Sequence, residues 1–128
     1  MTFAYLDTSA FVKTVIREAE SERLESWLRT HPDRASCALI RTEAIRAVRP
    51  SGTAAVERAR RALERLRLVR LEDDLLDAAA DLPGSVRTLA AIHLAAAQAL
   101  GVDLGVVVTY DERMAQAADG LGMAVVSP

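Results

Sequence analysis

Apolar residues along this chain fall in two rhythms. Phe3–Leu6 (Phe-Ala-Tyr-Leu) and Gly105–Thr109 (Gly-Val-Val-Val-Thr) are short continuous apolar runs, the pattern of strands buried on both faces. Ala35–Ala38 and Met123–Val126 are weaker runs of the same kind, and Leu66–Leu71 alternates apolar residues with arginine, as a half-exposed strand does. Between them the apolar positions recur at helical spacing. Helices are expected from Thr8 or Ser9, either of which could cap, through Val15; over Ser21–Arg29, ended by His31-Pro32-Asp33; over Leu39–Val48, broken by Pro50-Ser51-Gly52; and over Thr53–Arg65. Further helices are expected over Asp74–Leu82, stopped by Pro83-Gly84; from about Val86 to Leu100 with Ser85 as cap and Gly101 as stop; and over Asp111–Leu121.

Strands alternating with helices, with the best strands apolar throughout, specify an α/β domain whose central, mostly parallel sheet is covered by helices on both faces. The 128 residues suit a single domain, 1–128, with no repeat, low-complexity segment or linker. Half the residues are hydrophobic and only 4% aromatic, so the core must be mostly Ala, Leu and Val. Cys37 stands alone, which rules out an intrachain disulfide and fits a reducing, cytoplasmic setting. The start, Met-Thr-Phe-Ala-Tyr-Leu-Asp, lacks the basic n-region of a signal peptide. The longest uncharged run, Thr88–Val102, is too short and too polar to cross a membrane.

The net charge of −2 gives no nucleic-acid signal, but its distribution is uneven. Nine of the 15 arginines lie between Arg41 and Arg70, against Glu43, Glu57 and Glu64; the next segment is acidic, with Glu72, Asp73, Asp74, Asp77 and Asp81. The basic stretch is either a phosphate-facing surface or a solvated helix face in a chain that uses arginine almost to the exclusion of lysine.

Sites in open parallel sheets form at the carboxyl ends of strands. Asp7 directly follows the first strand there, and Asp111 follows the Gly105–Thr109 strand after Tyr110. If those strands are neighbours the two carboxylates converge, and like charges brought together require a proton or a cation between them. A hard divalent ion such as Mg²⁺ or Mn²⁺ suits oxygen ligands. Alternatively each aspartate caps the helix that follows it. Glu43, inside an apolar helix, either points at the same site or pairs with Arg41 or Arg46 on the surface. His93 is a base, a ligand or a structural residue; Cys37 reads as a buried small hydrophobe and Trp27 as core or interface.

Four blocks resemble the PIN domains, in particular the VapC toxins. Tyr5-Leu6-Asp7-Thr8-Ser9-Ala10 is similar to the opening motif, Arg41-Thr42-Glu43-Ala44 to the second, Arg87-Thr88-Leu89-Ala90-Ala91-Ile92-His93-Leu94-Ala95-Ala96-Ala97 to the third, and Val108-Thr109-Tyr110-Asp111-Glu112-Arg113-Met114 to the fourth. Each is weak alone; four in order across nearly the whole chain make a specific match. The resemblance implies a PIN-like fold, a metal-dependent ribonuclease toxin, and an acidic cluster of Asp7, Glu43 and Asp111 that holds Mg²⁺ or Mn²⁺. In that cluster Asp7 and Asp111 are ligands, Glu43 holds a metal-bound water or helps deprotonate the nucleophile, and Thr8, Ser9 and Thr109 are supports. It also implies a structural role for His93, a cognate antitoxin, a homodimer and an RNA substrate such as tRNA. Phe11, Val12, Val15, Leu24, Trp27 and Leu28 are candidate apolar surface for a partner, or core.

One position departs from the pattern. The third motif normally carries an acidic metal ligand after Arg-Thr-Leu, and Ala90 stands there. Either the acid was lost naturally or it was deliberately changed to alanine so that a toxic nuclease could be expressed; the intact neighbours favour the second. The chain as written is expected to have little or no nuclease activity. The competing function is a non-catalytic PIN-like module that binds RNA or antitoxin. A phosphatase or receiver-like use of Asp7 as a covalent nucleophile fits poorly, because Ser9 stands where the phosphatase pattern wants a second aspartate and the only lysine is Lys13.

Overall fold

The elements follow the apolar pattern closely: β1 (Phe3–Leu6), α1 (Thr8–Val15), α2 (Ser21–Arg29), β2 (Arg34–Cys37), α3 (Ile40–Val48), α4 (Thr53–Leu63) and β3 (Arg67–Val69). They continue with α5 (Asp73–Ala80), α6 (Thr88–Ala99), β4 (Leu104–Val108), α7 (Glu112–Gly120) and β5 (Val125–Val126). A computed structural model describes all of residues 1–128. The strands form one sheet in the order β3-β2-β1-β4-β5, and every pairing is parallel. β1 is central and pairs with β4, Leu6 standing opposite Val108. That pairing brings the chain leaving β1 beside the chain leaving β4.

Alternation along β1 divides the core. Phe3 and Tyr5 pack under α5, α6 and α7 with Cys37, Val107 and Met114. Ala4 and Leu6 face the opposite side, toward α1 and α2, with Leu24, Leu28 and Val108. A third cluster joins α1, α3 and α4 through Phe11, Val15, Ile40, Val48 and Ala59. Alanine is common where helices approach the sheet closely, as at Ala95, Ala96 and Ala97. Gly105 marks the tightest approach: a Cβ there would lie 3.1 Å from the Phe3 carbonyl, beside the register shift between β1 and β4.

Several expectations are corrected. Thr8 and Ser9 do not cap α1; Asp7 does, since its extended backbone (φ −79°, ψ 179°) lets its carboxylate reach the Ala10 N–H. Ser85 does not cap α6 either, because that helix begins two residues later than expected, and Arg87 at the cap position makes no side-chain cap bond. Pro50 first tightens the chain into a 3₁₀ turn, Arg49–Ser51, and Gly52 with φ 102° then opens α4. β3 and β5 are edge strands, shorter than their apolar runs, having a partner on one side only. Phe11, Val15, Leu24 and Leu28 are buried in the core, leaving only Val12 and Trp27 of the proposed apolar surface half-exposed. Trp27 stacks on His31 with ring centroids 3.6 Å apart.

Candidate active site

Asp7 lies buried at the carboxyl end of β1, only 4% exposed. Both of its oxygens are occupied: Oδ1 accepts from Ser9 Oγ at 2.7 Å and from the Ala10 N–H at 3.0 Å, and Oδ2 accepts from Thr109 Oγ1. Burial raises the Asp7 carboxyl above its usual range, and the hydrogen bonds from Thr109, Ser9 and Ala10 oppose that rise without cancelling it. Thr109 also accepts from the Asp111 N–H at 3.0 Å, so one hydroxyl ties the ends of β1 and β4 together. Ser9 Oγ accepts from the Tyr110 N–H at 2.9 Å and makes the same tie from the other side.

Glu43 projects from the first turn of α3, and neither Arg41 nor Arg46 pairs with it. Its Oε1 accepts from Thr8 Oγ1 at 2.7 Å and contacts His93 Nε2 at 2.7 Å. His93, on the buried face of α6, is 3% exposed. Its Nδ1 lies 2.8 Å from the Tyr5 hydroxyl and 3.7 Å from Cys37 Sγ. Burial disfavours the imidazolium, but the hydrogen bonds and charges of Cys37 and Glu43 outweigh it and push His93 up to about 10. The Glu43 carboxylate at 2.7 Å is the stronger partner by distance. Burial likewise pushes Glu43 up, and His93 and Thr8 together hold it below its ordinary value. The pair is therefore an imidazolium–carboxylate bridge braced by Thr8 and Tyr5.

Asp111 differs from both. It is exposed, and its Oδ1 caps α7 by accepting from the Arg113 and Met114 N–H groups at 2.9 and 3.1 Å. It lines an open cleft of about 510 Å³ between the starts of α6 and α7, and Ala90 lines the same cleft with Arg87 and Arg113. The position where a fourth acid was expected thus shares a cleft with Asp111. Both aspartates cap the helices that follow them, the alternative to a shared cation, and they do so at the ends of adjacent strands.

Asp7, Glu43 and Asp111 supply hard oxygen donors of the type Mg²⁺ or Mn²⁺ takes. They do not form one coordination group: nowhere does the chain gather three His, Cys, Asp or Glu side chains around a point where an ion could sit. Both Asp7 oxygens and Glu43 Oε1 are engaged by hydroxyl, amide or imidazole groups, and Ala90 adds no donor. The side chains present do not fit a resident divalent ion.

The sequence did not point to Tyr5 and Cys37 as partners of His93, or to Arg87 and Arg113 as cleft residues. Strand alternation put Tyr5 on the α6 face, and Arg87 stands one helical step before Ala90; those were the available signals. The nine arginines between Arg41 and Arg70 are all exposed.

A family model of the PIN domain matches residues 4–120. Ribonuclease VapC46 of Mycobacterium tuberculosis is 52% identical over 129 residues, covering 100% of this chain and 99% of that protein. Ribonuclease VapC35 of the same organism is 42% identical over 132 residues, covering 97% and 96%. Among solved structures, Mycobacterium tuberculosis VapC20, a sarcin–ricin loop cleaving toxin, superposes with a TM-score of 0.78 over 98% of this chain and 99% of that one. At 17% identity that likeness is one of fold.

Proposed function

This chain belongs to the PIN domain family, among its VapC-type ribonucleases, and on that premise we propose that it is an endoribonuclease toxin disabled at Ala90. In a form with an acid at position 90, Mg²⁺ or Mn²⁺ would supply the Lewis acid and the activated water for phosphodiester hydrolysis. The single observation that carries this reading is that Ala90 and Asp111 line one cleft at the carboxyl end of the sheet.

The chain's own residues divide the work. Asp111 presents a carboxylate to the cleft. Asp7, clamped by Ser9 and Thr109, fixes the chain leaving β1 against the chain leaving β4. Glu43 is held ionised by His93 and oriented by Thr8, which suits an acceptor that orients an attacking water by hydrogen bonding better than a base that takes its proton, since its pKa is held low. A cognate antitoxin neutralises the intact toxin in this reading, the toxin is a homodimer, and a structured RNA such as tRNA is its substrate. The absence of any helix long and apolar enough to cross a membrane is compatible with work in the cytoplasm.

The test is RNA cleavage by the purified protein with and without Mg²⁺. The Ala90→Asp variant is expected to cleave, the chain as written is not, and Asp7→Ala added to Ala90→Asp is expected to abolish the gain. Mg²⁺-dependent, Asp7-dependent cleavage by the unaltered chain would sink the proposal. A second reading, a naturally non-catalytic module that binds RNA or antitoxin, is favoured by the lack of any three-ligand group in the site. It predicts that Ala90→Asp stays inactive while folding and RNA binding persist.

A further inference from the structure

Arg87 and Arg113 both line the Ala90–Asp111 cleft, from the starts of α6 and α7, and both are exposed. Neither guanidinium takes part in an ion pair; the chain's pairs are made by Lys13, Arg17 and His93. Neither makes a side-chain hydrogen bond either, so their N–H donors are left to solvent at the mouth of the cleft. The one carboxylate lining the cleft, Asp111, already accepts two N–H bonds as a helix cap. An acid at position 90, three residues after Arg87 on one helix face, would balance the second cation. With alanine there, two cations face one carboxylate. Val86 and Met114 supply an apolar wall, and about 510 Å³ is room for a nucleotide-sized group.

We propose that Arg87 and Arg113 form a phosphate clamp that holds the sugar–phosphate backbone of single-stranded RNA across this cleft without a metal ion. The inference rests on the reading that the cleft is the RNA site, and it adds which residues grip the substrate. A guanidinium matches a phosphate with two parallel N–H bonds, whereas an ammonium offers only a point charge. Backbone contacts of this type position the strand and do not read its sequence. The clamp therefore acts on RNA of any sequence, and selectivity must come from elsewhere.

The experiment is fluorescence anisotropy of a labelled oligouridine of about ten nucleotides, within the length range of single-strand binding sites, with the full chain in EDTA over a range of salt. Arg87→Ala and Arg113→Ala are each expected to weaken binding about 3- to 10-fold and to reduce the slope of log K against log salt by about 0.7 per arginine removed. Arg87→Lys should keep the slope while losing affinity. If Arg60→Ala on α4 weakens binding and the two cleft variants do not, the arginine-rich stretch is the RNA surface and the clamp is wrong. Binding of polyglutamate with the same arginine dependence, with no binding of RNA, would reassign the clamp to an acidic protein segment and overturn the proposal. The family reading is judged separately by Mg²⁺-dependent cleavage in the Ala90→Asp variant. Restored cleavage with unchanged binding in the two cleft variants would remove the clamp and leave that reading standing.

Discussion

Glu43 and Asp111 carry the same charge at the same end of the sheet, yet the molecule treats them in opposite ways. Glu43 is closed in: His93 and Thr8 hold one oxygen, Tyr5 braces the histidine from behind, and the imidazole is 3% exposed. Asp111 is open: it caps α7 with one oxygen and shares its cleft with Ala90 and two unpaired arginines. One side of the site is built like a core, with its polar groups satisfied; the other is built like a binding surface. Changes on the closed side should register as stability, and changes on the open side as function with little effect on folding.

The largest expected effect lies on the open side. Ala90→Asp should raise Mg²⁺-dependent RNA cleavage by more than ~100-fold over the unaltered chain, beyond the range seen when only outer-shell partners of a metal are removed. Its melting temperature should barely move, since position 90 borders the cleft. A large gain in stability with no gain in cleavage would mean that the introduced carboxylate simply pairs with Arg87.

On the closed side, His93→Ala should destabilise the fold by about 3 kcal/mol, because it strips one partner from a largely buried ion pair and leaves Tyr5 facing a void. Chemical denaturation measures it, and a change below about 1 kcal/mol, an ordinary surface value, would show that the bridge is not structural. Asp111→Ala should cost only about 1 kcal/mol, the usual value of a lost helix cap. Comparable costs for the two would erase the distinction between the sides.

A pH dependence tests the same bridge. His93 is raised from 6.5 to about 10, so its contribution is fully present below pH 6.5 and lost as pH rises toward 10. Glu43 is lowered from 4.5, so its contribution is present above pH 4.5 and lost as pH falls through its depressed value. Stability from the bridge should therefore be flat between pH 4.5 and 6.5 and decline on either side. Replacing both residues by His93→Phe and Glu43→Leu should remove the dependence on the alkaline side, and an unchanged alkaline slope in that double variant would assign it to other groups.

Local patterning determined much of this protein. Continuous apolar runs, one alternating run and helical spacing located all five strands and all seven helices to within a few residues, most sharply at β1, which is buried on both faces and so reads as an unbroken apolar run. The order of four motifs singled out Ala90 as the position where an acid was expected. What the sequence by itself could not determine is who partners whom across the chain. Glu43 could have met Arg41 or Arg46 on its own helix; instead it meets His93, 50 residues later, because α3 and α6 converge at the end of the sheet. Asp7 could have been a cap or part of a site; it caps α1, and the β1–β4 pairing also places Thr109 against its second oxygen. Burial and pairing across the sheet are long-range events, and no local rule of spacing encodes them. The tertiary structure alone decided that one carboxylate would be locked in a half-buried hydrogen-bonded network and another left in an open cleft beside two free arginines.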